Sequence, residues 1–219
     1  MKRNKYRELF ETEDERSDIL IAAYYQAADI RKFEIDMYWK RAAYFWALIA
    51  VAFAAFFAVS SAEHLSVQDK KLYLSAISSA GFIFTFAWFS VNKGSKYWQE
   101  NWENHLDLLE DKITGPLYKT KLERPINDSC LEKLIIGPQP YSVSKINQIV
   151  AVFTMLIWLF FMGSIFLKKI TISTCNVILF VPIIISALFT LAIIFFGKSH
   201  QSEMNPTFSV RDVKHPDDQ

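Results

Sequence analysis

Charge is missing from long parts of this chain. Four windows, residues 42–62, 72–92, 146–167 and 170–197, contain no Asp, Glu, Lys, Arg or His. A proton relay, an ion-coupled carrier or a voltage sensor needs ionisable groups inside such segments, so the emptiness of these windows argues against all three. Glycine is scarce, at 6 of 219 residues, and no Gly-rich loop that would cradle a phosphate is present. There is no HExxH, and the two cysteines, Cys130 and Cys175, are not at metal-ligand spacing. These gaps leave no cofactor or metal to expect and no enzyme to name.

What is present is apolar and aromatic: 52% of residues are hydrophobic and 19 are Phe. Each charge-free window reaches the roughly 20 residues that span a hydrocarbon core as a helix. The expected fold is therefore all-α, with four transmembrane helices in two hairpins and a cytoplasmic helical extension of the first hairpin. Residues 1–18 read as a polar leader, 19–41 as a cytoplasmic helix and 93–145 as a cytoplasmic helix and loop region. Residues 198–219 read as a cytoplasmic tail.

Orientation follows from the basic residues. Of the 24 Lys and Arg, 20 fall before residue 42, between 93 and 145, or after 197. Cytoplasmic segments retain such residues, so both termini and the central segment are expected inside, and the turns holding Lys70–Lys71 and Lys168–Lys169 outside. The first 41 residues are too charged for a cleavable signal peptide, so the first span is expected to act as its own insertion signal. Cys130 then lies in a reducing compartment and Cys175 in a span, which disfavours a structural disulfide. Acidic residues, 23 in all, accompany the basic ones, so nucleic acid is not an expected partner. Membrane lipid is, and so is a cytoplasmic protein partner.

The helical periodicity places particular residues. Ile19, Ala23, Gln26, Ile30, Phe33 and Met37 alternate steps of four and three, as do Trp98, Trp102, His105 and Leu109 before Ile113. The Ile30, Phe33 and Met37 stripe is expected to meet the Trp98, Trp102, His105 and Leu109 stripe. Trp98 and Trp102 suit either an interhelical core or a stacking pocket. His105 suits either a packed helix position or a pH-sensitive contact. The second of these helices is expected to close at Thr114-Gly115-Pro116, with Gly115 left-handed. Ser129 and Glu132 form a capping box ahead of LEKLII, and Ser142 or Ser144 fits a cap for the third span.

Within the spans, Ala50, Ala54 and Ala58 are four apart, and Ser75, Ser79 and Gly81 lie on the second span. Small residues at that spacing allow close helix approach in lipid, so these six positions are expected to pack a hairpin or an oligomer. The third and fourth runs, rich in Ile, Leu and Phe, are expected to face lipid, with Pro182 kinking the fourth. Ser75, Ser78, Ser79, Thr85 and Ser90 could line a narrow pore only if several copies assemble; otherwise they bond neighbouring carbonyls.

The runs RKFEIDMYWKRAAYFWALIA and WFSVNKGSKYWQENWENHLDLLE resemble the RipA family of octameric bacterial membrane proteins, over about residues 15–120. That resemblance implies a homo-oligomeric, multi-pass protein of the bacterial inner membrane. A further likeness, in topology alone, is to pore-forming membrane effectors of bacterial defence systems. The leading expectation is a non-enzymatic scaffold or pore-like assembly with a cytoplasmic collar. The alternative is a gated pore or membrane-disrupting effector.

Overall fold

A computed structural model describes residues 18–120, 139–166, 188, 189 and 191–197. Helices α1 (Asp18–Ser61) and α2 (Val67–Leu109) are followed by a 3-10 turn (Glu110–Lys112) and by α3 (Val143–Phe166). No strand occurs among the described residues. Among the described residues, three helices are long and apolar enough to cross a membrane. At about 1.5 Å per residue, α1 and α2, of 44 and 43 residues, each run about 65 Å, roughly twice the thickness of a hydrocarbon core. Charge inside each helix separates the apolar part from the rest.

Local chemistry sets the boundaries. Ser66 caps α2: its Oγ accepts from the Asp69 amide at 3.1 Å and donates to Asp69 Oδ2 at 2.6 Å. Ser142 stands at the start of α3, where its Oγ accepts from the Lys145 amide at 3.4 Å. The far end of α2 departs from the expected run to Ile113. Its α-helical bonding stops at Leu109 and tightens into the 3-10 turn, in which the amides of Ile113 and Thr114 both donate to the Glu110 carbonyl. Gly115 then takes φ +72°, the left-handed conformation that glycine adopts without a Cβ penalty.

The chain divides into two compact units. One comprises, among the described residues, 18–31 and 100–120; the other comprises 32–99, 139–166 and the described residues between 188 and 197. The first has a core of Leu20, Tyr24, Ala27, Leu106 and Leu109, edged by Ala23, Ala28, Trp102, Leu108 and Ile113. The second packs α1, α2 and α3 together. Ile49, Trp88 and Ala151 form one cluster, and Ala52, Phe56 and Trp158 another.

Several expectations fall outside the described residues: the leader through residue 17, the Ser129–Glu132 capping box, Cys130, Cys175, Pro182, most of the fourth apolar run, and the tail from 198. The described ends of that run, 188–189 and 191–196, are helical, and the Ser142 amide donates to the Gly197 carbonyl at 2.8 Å.

Candidate functional site

In the first unit, α1 and α2 meet one residue away from the register expected for α1. Leu20, Tyr24 and Ala27 are buried, whereas Ile19 is 54% exposed. The two registers share the same four-and-three spacing. The Leu20 register wins because it sets Tyr24, far larger than Ala23, with Leu20 over Leu106 and Leu109 and brings the Tyr24 hydroxyl to within 3.4 Å of Thr114 Oγ1. Arg31 fixes the pair further, donating from Nε and Nη2 to Glu103 Oε1 at 3.2 and 2.6 Å. Its guanidinium also lies 5.6 Å from the Tyr118 ring centroid.

Of the residues expected on this face, Leu109 is buried, and Trp102 and His105 are half-buried with their rings 5.1 Å apart. Burial pushes the His105 imidazole below its ordinary value of 6.5, because charge is less favourable away from water. Ile30 belongs to this unit and is half-buried. Trp98, Phe33 and Met37 belong to the other unit, where Trp98 and Phe33 are 51% and 55% exposed and Met37 is half-buried. The single expected stripe is thus divided. Glu110, fully buried, closes the segment after α2 by accepting from the amides of Tyr118 at 2.6 Å and Lys119 at 3.3 Å. Lys119 Nζ, 3.4 Å away, supplies the counter-charge.

The second unit holds a seam that spacing alone could have revealed. Ser78, Gly81, Thr85, Trp88, Asn92 and Ser95 alternate steps of three and four along α2, and all six are buried. Reading hydroxyls singly, without the Gly81, Trp88 and Asn92 between them, hides this stripe. Gly81 lies against Trp158 of α3, and a Cβ there would overlap the indole. Trp158 is wholly buried, stacks on Phe53 at 4.2 Å between centroids, and stands edge-on to Phe56. Helix α3 is therefore packed into the α1–α2 pair through this face. Leu159, on another side of α3, is exposed.

The seam is polar at one end and incompletely satisfied along its length. Arg41 Nη1 donates to Ser95 Oγ at 3.1 Å and approaches Glu34 Oε2 at 3.5 Å. Asn147 of α3 donates to the Tyr38 hydroxyl. Thr85 Oγ1 donates to the Gly81 carbonyl at 2.8 Å. Ser78 Oγ, Trp88 Nε1, Asn92 Nδ2 and Trp158 Nε1 are buried and have no hydrogen-bond partner. In a bilayer core such groups weaken a helix bundle rather than strengthen it.

The hydroxyls suited to a pore separate into two groups. Ser78 and Thr85 are buried inside the unit, while Ser79 and Ser90 are exposed and donate to the carbonyls of Ser75 and Phe86 in their own helix. Ser75 is half-buried. Ala50, Ala54 and Ala58 are exposed, and with Ala43 and Ala47 they form a continuous small-residue stripe on α1 that nothing in the described residues covers.

A family model for octameric membrane proteins (8xMP) matches residues 21–167, well over half of the chain. The chain belongs to the octameric membrane protein family. The match covers all of α2 and α3 and all but the first turn of α1. With three membrane-length helices, this member of the family is a multi-pass membrane protein. No curated protein and no solved structure matches it.

Proposed function

We propose that this protein is a non-enzymatic, homo-oligomeric scaffold of the bacterial inner membrane, assembled as eight copies in keeping with its family. The observation that carries the reading is the alanine stripe on α1 that the described residues leave uncovered. Ala43, Ala47, Ala50, Ala54 and Ala58 offer a surface on which a neighbouring helix can approach closely, and in lipid that close packing is what holds helices together. Closed rings repeat one interface between different faces of each copy, so a small-residue face that the described residues leave uncovered supports a ring.

The finer architecture is part of the same proposal. Four spans form two hairpins, and both termini lie in the cytoplasm, as the 20 of 24 basic residues on one side favour. The helical segments 19–41 and 93–113 make a cytoplasmic collar that receives a protein partner. Charge-free spans leave no ionisable group for chemistry within the membrane.

Proteoliposomes loaded with a fluorescent dye and a pH indicator test the scaffold against the pore. Scaffolding predicts no release of either beyond empty vesicles, because the exposed Ser79 and Ser90 hydroxyls are bonded to their own backbone. Steady release that disappears on Ser79→Leu would replace the scaffold by the gated-pore reading.

A further inference from the structure

The second unit carries an open groove of about 390 Å³. Phe89 of α2, Ile149 and Val152 of α3, and Phe196 form its apolar body, and Lys145 and Gln148 stand at one end. Lys93 Nζ lies 5.6 Å from the ring centroid of Phe89, which brings a second ammonium to the same end. Among the described residues, no carboxylate lines the groove. Its size is within the range of small-ligand sites, and its lining is almost wholly hydrocarbon and aromatic.

Position in the chain agrees with this chemistry. Lys93 directly follows the charge-free run 72–92, and Lys145 directly precedes the run 146–167. Both cations therefore sit at one membrane boundary, the level of lipid headgroups, while Ile149 and Val152 lead towards the acyl region. We infer that this groove is a binding site for an acidic phospholipid of the surrounding membrane, with its phosphate between Lys93 and Lys145 and an acyl chain along Ile149, Val152 and Phe196. A zwitterionic lipid would fill the apolar body but gain less from two ammonium groups. Charge complementarity thus selects the acidic headgroup.

The test uses the full chain purified from bacterial membranes in a mild detergent, with co-eluting lipid extracted and quantified by mass spectrometry. Acidic phospholipid should be enriched on the order of tenfold over its share of the bulk membrane, given two lysines near the headgroup. Lys93→Gln with Lys145→Gln should return the ratio to the bulk value, Val152→Phe should lower total bound lipid, and Lys71→Gln, near the start of α2, should change neither. All variants should elute where the wild type does. A wild-type ratio retained in the double variant overturns the proposal, as does lipid at detergent-background level in the wild type. A Val152→Phe variant that shifts in elution volume with its lipid unchanged overturns it too, since a neighbouring subunit then fills the groove. Wild-type protein in nanodiscs gives an independent reading that needs no variant: phosphatidylglycerol should raise the unfolding temperature relative to phosphatidylcholine, and equal temperatures count against the site.

Discussion

Gly81 and Trp158 fit closely against each other in the membrane unit. An added methyl at Gly81 meets the indole directly, and Trp158 is hemmed in by Phe53 and Phe56, so it has little room to turn away. Gly81→Ala should therefore destabilise the protein by about 1–3 kcal/mol, the range for overpacking a closed site. Gly94→Ala makes the matched control, because nothing lies within 4 Å of a Cβ there. It should be neutral or stabilising by up to ~1 kcal/mol through helix propensity. Thermal unfolding of both variants in detergent checks the difference.

His105 is the residue whose ionisation should register in stability. Burial lowers its folded-state value below the ordinary 6.5, so the unfolded chain binds the proton more tightly than the folded one. Stability then rises with pH while the unfolded imidazole loses its proton, and it levels off above that range. Acidifying from about pH 7.5 to about pH 5.5 should lower the unfolding temperature, and His105→Gln should lessen that drop. An unchanged drop in the variant would assign it to other groups.

At the scale of elements, two carboxylates hold the segment after α2: Asp111, whose Oδ1 lies 2.6 Å from Lys119 Nζ, and Glu110, which alone reaches the backbone. Glu110 satisfies two backbone amides and one ammonium from a fully buried position. Glu110→Ala should cost about 1–3 kcal/mol, the penalty for leaving buried donors unmet. Hydrogen exchange should show it first at the Tyr118 and Lys119 amides. Protection unchanged at those two positions would mean that the turn is held otherwise.

The long helices were legible because charge-free runs and capping residues are local signals; Ser142 and Gly115 act through their own backbone neighbourhood. The register of α1 was not. Ile19-Ala23-Gln26 and Leu20-Tyr24-Ala27 fit one periodicity equally well, and the choice is made by Leu106 and Leu109, some eighty residues away in the chain. Leu109 itself could be read correctly, since it lies at the centre of its own stripe. Trp158 shows the same limit in the membrane. An aromatic in an apolar run looks lipid-facing until the glycine that accommodates it is found on another helix. The early end of α2 escaped for a similar reason, because the Glu110 carboxylate is drawn inward by amides that follow it by eight and nine positions.

For the whole molecule, the distribution of small residues has two separate consequences. Gly81 and the Ser78–Ser95 stripe are consumed inside the unit, packing α2 against its own neighbours, whereas the described residues leave the α1 alanines uncovered. On the reading proposed above, that uncovered stripe is where further copies of the chain pack. Periodicity in the sequence identifies small-residue stripes, yet it does not say which stripe serves the subunit and which serves the assembly. The structure assigns the Gly81 stripe to the subunit, where it meets Trp158. The particle mass in mild detergent, measured by light scattering or native mass spectrometry, tests this most directly. The account predicts eight copies for the wild type and smaller species, with helix content unchanged, for Ala50→Leu combined with Ala54→Leu. A monodisperse wild-type monomer, or a variant that keeps the full mass, would contradict it.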